Sequence, residues 1–110
     1  MALYFETDQP SELLARYKAA VDDGQVRTWA YDDEGDFTHT AEQWKNSAWF
    51  RPKVLLGRLA FYILTPKDTV LSSAIYAIYH GRLCESFLRH CDSSFSNSIA
   101  TSLPEGSDVI

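Results

Sequence analysis

The segment 73–91 constrains the fold more than any other part of this chain. Ile75, Tyr79, Leu83 and Phe87 recur at steps of four, supported by Tyr76 and Leu88, whereas Arg82, Glu85 and Arg89 gather on the opposite side at about 100° per residue. A helix with one such apolar stripe is stable only when the stripe is buried against a second layer. The rest of the sequence has to supply that layer.

Most of it reads as short strands. Residues 2–5 alternate Leu3 and Phe5 against Tyr4, a period of two. Residues 26–31 put Val26, Thr28 and Ala30 on one face and Arg27, Trp29 and Tyr31 on the other. The acidic turn Asp32, Asp33, Glu34, Gly35, Asp36 then leads into a return strand, which predicts a β-hairpin centred near Gly35. Residues 59–64 make the better of the later strands, while Pro52 holds 48–51 to extended backbone and confines a strand through it to an edge or a bulge.

Between the first two strands, Leu13, Leu14, Tyr17 and Val21 predict a helix capped by Asp8 or Ser11 and stopped by Gly24. Thr40, Ala41, Glu42 and Gln43 fit a capping box opening a short helical turn through Trp44. After Asp92, a weak spacing of Phe95, Ile99 and Leu103 fits one last docked turn, and 104–110 reads as a flexible tail. The expectation is a single α+β domain over residues 1–103: a small antiparallel sheet of three to five strands, with two main helices on one face, in the order β-α-β-β-(β)-β-α. Its central order of elements resembles the double-stranded-RNA-binding domain in topology alone.

Charge argues against that domain's function. The chain has 110 residues, with 10 Lys and Arg against 15 Asp and Glu, a formal charge of −5. Such a balance repels phosphate backbones and anionic headgroups, and neither half of the chain holds a basic patch, so neither nucleic acid nor a membrane surface is the expected partner. The first residues lack a secretory signal, and the apolar run 54–64, broken by Gly57 and Arg58, falls short of the about 20 residues of a membrane span. Cys84 and Cys91 stand about 10.5 Å apart along the predicted helix, too far to bridge, and two free thiols suit a reducing compartment, with the cytoplasm as the expected location.

Chemistry is best sought in residues 79–85, where Tyr79, His80, Gly81, Arg82 and Cys84 interrupt an otherwise ordinary helix. Gly81 costs a helix interior about 1 kcal/mol relative to Ala, which predicts close packing of a neighbouring element against it. His80 lies on the apolar half between Tyr76 and Cys84, and reads first as a structural histidine and second as an acid, base or ligand. One turn separates it from Cys84, the minimum for a thiolate pair, although no helix N-terminus or oxyanion hole accompanies them. No zinc pattern is present, and the acidic turn misses the EF-hand register, so no metal or other cofactor is expected.

The other concentration is aromatic. Trp29, Tyr31, Trp44, Trp49 and Phe50 belong to a run richer in rings than one sheet face buries, and exposed rings of this kind anchor protein partners. Two functions follow. The first is a non-catalytic protein-binding module that grips a basic partner, or a second copy, on an aromatic sheet surface with Trp29 and Trp49 accessible. The second is a small enzyme or small-molecule binder with a cleft around His80, lined by Cys84, Tyr79 and Arg82.

Overall fold

A computed structural model describes residues 2–103, 106 and 108. The order is β1 (Ala2–Glu6), α1 (Pro10–Asp22), β2 (Trp29–Tyr31), β3 (Phe37–His39), β4 (Trp49–Leu55), β5 (Arg58–Leu64), α2 (Ser73–Cys91), a 3-10 turn (Asp92–Ser94) and β6 (Asn97–Ala100). The class is α+β, but the sheet has six strands, in the spatial order β2-β3-β4-β5-β1-β6, rather than three to five. Every neighbouring pair is antiparallel.

The extra strand is β6, where the sequence pattern pointed to a helical turn. Only the 3-10 turn over Asp92–Ser94 is helical there. Asn97–Ala100 instead pairs with β1, with Tyr4 opposite Ile99 and Phe5 opposite Ser98. Phe95 is drawn inward against Phe5, ring centroids 5.1 Å apart, which lays the following residues along the sheet edge.

Pro52 also behaves differently from expectation. It lies inside β4, which sits between β3 and β5. The β3 pairing reaches β4 only at Phe37 with Phe50, so beyond that point β4 has β5 alone beside it. The missing N–H of Pro52 therefore deprives no second neighbour of a bond.

Helix α2 begins after Ser72, whose hydroxyl accepts the Ile75 amide at 3.1 Å. Helix α1 opens on Pro10, pre-set for a first helical position, and neither Asp8 nor Ser11 caps it. Gly24, at φ +77°, turns the chain out of it. The predicted capping box does not form: Thr40 donates its hydroxyl to the Arg27 carbonyl at 2.9 Å, and the Ala41 amide is satisfied by His39 Nδ1 at 3.1 Å.

Both helices cover one face of the sheet. Leu3, Phe5, Trp29, Phe37, Phe50, Leu59, Phe61 and Ile63 meet Leu13 and Tyr17 of α1 and Tyr79, Leu83 and Phe87 of α2. Phe87 is stacked between Tyr17 and Phe5, each at 4.1 Å. The Tyr17 hydroxyl is bonded to Ser86 at 2.7 Å, and burial raises its pKa. Of the expected tail, Gly106 and Asp108 are described: Gly106 lies against the Tyr62 ring, and Asp108 accepts the Ile63 amide at 2.8 Å. The remainder of 104–110 is outside the described residues.

Candidate functional site

The second face of the sheet carries no helix among the described residues. Partners across an antiparallel ladder share a face, so Trp49 stands beside Leu64, Arg51 beside Tyr62, and Tyr62 beside Ala2. Tyr4 and Tyr62 meet edge to face at 6.1 Å, and the Arg58 guanidinium lies 4.5 Å over the Tyr4 ring while pairing with Glu6. Towards β3, Arg51 grips the buried Asp36 carboxylate through Nε at 3.0 Å and Nη2 at 2.8 Å, and reaches Glu34 at 3.4 Å. Asp32 Oδ1 accepts the Glu34 and Asp36 amides, each at 3.0 Å, so the acidic turn is closed by its own side chain. Asp32, Asp33 and Glu34 are left exposed at its tip.

The five aromatics expected to form a surface divide. Trp29 and Phe50 lie in the core, 2% and 0% exposed, which overturns the accessibility expected for Trp29. The cause is register: odd positions of β2 face the helices, whereas in β4 the even position Phe50 does. Trp29 packs edge-on to His39 and Tyr79, and its buried Nε1 has no partner among the described residues. Tyr31 is half-buried and donates to Asp22 at 2.6 Å, a bond that raises the tyrosine pKa. Trp44 packs partly against the core and gives its carbonyl to the Tyr79 hydroxyl. Trp49 alone is left half-buried on the helix-free face.

The residues of the alternative site are not gathered into a cleft. His80 is 5% exposed, stacked on Tyr76 at 4.0 Å and edge-on to Phe50 at 4.9 Å, with Nδ1 2.8 Å from the Tyr76 carbonyl. Cys84 Sγ meets the Ser98 hydroxyl at 3.1 Å, so the thiol is engaged with β6. Arg82 points outward and pairs with Glu85 at 3.5 Å. Among the described residues, no atom of a neighbouring element lies within 4 Å of where a Gly81 Cβ would stand, so the close packing expected there is not found among them. One groove, about 580 Å³, lies between the end of β1, the start of α1 and residues 93–96, and another, about 230 Å³, runs beside Arg27, Glu85 and Arg89; His80 lines neither of these two.

His39 is the residue whose importance the sequence understated. It is 5% exposed, burial lowers its pKa, and its Nδ1 accepts the Ala41 amide in place of a helix cap. Among the described residues, no group of three or more His, Cys, Asp or Glu is placed to hold a metal ion. No helix of these residues is long and apolar enough to cross a membrane. Comparison with family models, curated proteins and solved structures finds no match to this chain.

Proposed function

We propose that the chain is a non-catalytic protein-binding module of the cytoplasm, gripping a basic partner on the helix-free face of its sheet around Trp49. One observation carries the reading: Trp49 is the large aromatic of the expected surface that stays half-buried on a face no helix covers, while Trp29 and Phe50 are consumed by the core. The exposed tip at Asp32, Asp33 and Glu34 gives that face an acidic rim, suited to Lys- and Arg-rich segments. The free thiols of Cys84 and Cys91 are compatible with a reducing compartment.

Titration of 15N-labelled protein with a Lys- and Arg-rich peptide tests this through the tryptophan indole signals. The Trp49 signal should move and the Trp29 signal should stay. Trp49→Ala should weaken binding by about tenfold or more, equivalent to about 1.4 kcal/mol. Asp33→Asn with Glu34→Gln should weaken it too and flatten its salt dependence. A Trp49 signal that is unmoved at saturating peptide would sink the proposal.

A further inference from the structure

The two edges of the sheet are finished differently. At one, β2 is three residues long and runs directly into Asp32, Asp33 and Glu34. Shortness and charge are the usual means of keeping an edge from pairing with another chain. At the other, β6 lacks charge entirely: residues 93–103 contain no Lys, Arg, Asp, Glu or Pro. Asn97, Ile99 and Ala100 are exposed. The Thr101 amide bonds to the Ala2 carbonyl at 2.9 Å, which fixes the parity of the ladder. Backbone groups of Ile99 face β1, and those of Ser98 and Ala100 therefore face outward, where no strand lies among the described residues.

Helix α2 runs antiparallel along β6. Tyr76 donates to the Thr101 carbonyl at 2.6 Å, and Cys84 meets Ser98 at 3.1 Å. Gly81 lies between these two contacts, and so level with Ile99 and Ala100. It is exposed with open space at its Cβ position, so no contact among the described residues accounts for a helix glycine that costs about 1 kcal/mol. Ala77 and Leu88, the latter 52% exposed, continue the same flank.

We propose that β6 pairs antiparallel with β6 of a second copy of this chain, with Ile99 on the two-fold axis and the Gly81 flanks of the two α2 helices meeting beside it. Ser98 and Ala100 of one copy exchange main-chain hydrogen bonds with Ala100 and Ser98 of the other, about four in all. The two Ile99 side chains, 42% exposed in the single chain, become a cross-strand pair. Charge selects the occupant. Copies that each carry −5 approach best through a rim segment that carries none, and a two-fold contact matches that segment with itself. This surface is separate from Trp49, so either proposal can fail alone.

Sedimentation equilibrium of the full chain over a concentration series tests the pairing. The expected result is a dimer with a dissociation constant on the order of 0.1 mM or tighter. Ile99→Lys, which sets two like charges on the axis, should weaken it tenfold or more without changing thermal unfolding at low concentration, because an edge strand tolerates lysine. Ile99→Cys should cross-link under oxidation, since residues opposed in a non-hydrogen-bonded pair lie about 4.5 Å apart at Cα, within disulfide range. Leu56→Cys, at the exposed β4–β5 turn, should not. A chain that stays monomeric throughout, a dimer that survives Ile99→Lys, or a Cys at 56 that cross-links as readily as one at 99 overturns the proposal.

Discussion

One sheet presents two unlike faces, although the same strands build both. On the helix-covered face the contacts are rings packed on rings: Phe61 alone lies edge-on to Phe5, Phe37, Phe50 and Phe87 at 5.5–6.2 Å. On the helix-free face the Arg58 guanidinium lies over the Tyr4 ring while pairing with Glu6, Gly106 lies against the Tyr62 ring, and further along Arg51 pairs with Asp36. Apolar burial scales with area and tolerates no gap, whereas a charge pair half in water is screened and adaptable. The first face thus carries the larger core, and the second a smaller buried cluster of Ala2, Tyr4, Ala60 and Tyr62.

That contrast can be broken by substitution. Phe61→Ala should be the most damaging change, costing about 3–5 kcal/mol in chemical denaturation, because it opens a cavity where four rings converge. Arg51→Ala should cost about 1–3 kcal/mol, less than the core change because Arg51 is itself half in water, yet more than a surface pair because it strands the buried Asp36 carboxylate. If the two variants were equally destabilising, the division between the faces would be wrong.

The smallest effect is one of pH, and it belongs to the helix-covered face. Burial lowers the His39 pKa, with Arg82 acting in the same direction and Glu85 against it. A histidine held neutral in the fold binds fewer protons there than when unfolded. Its contribution is therefore complete above its unfolded pKa of about 6.5 and is lost as the pH falls through and below that value. Thermal unfolding should move to lower temperature on acidification from about pH 7 to pH 5, and His39→Gln should flatten that segment of the profile.

The long helix was legible in full because its stripe of Ile75, Tyr79, Leu83 and Phe87 is an intrinsic period ended by a serine cap and a run of polar residues. The hairpin at Gly35 was legible for a similar local reason: its glycine takes φ +81°. What escaped depends on partners distant in sequence. Strand β6 is Ser- and Asn-rich and has little strand propensity of its own, so its state is decided by β1, and the tolerance of Pro52 is decided by where β3 stops. Trp29 and Trp49 look alike in sequence, and only the registers of β2 and β4 separate the core ring from the surface one. Gly81 has the sequence mark of a packing glycine, yet among the described residues the space beside it is open.

The bond between Thr101 and Ala2, 99 positions apart, has a consequence for how the molecule is made. Closing so long a loop is entropically costly, and β6 is synthesised after every other strand of the sheet. Until it emerges, β1 waits with one side unpaired and Phe95 is missing from beside Phe5. A nascent chain halted before residue 97 therefore holds both helices but an unfinished sheet.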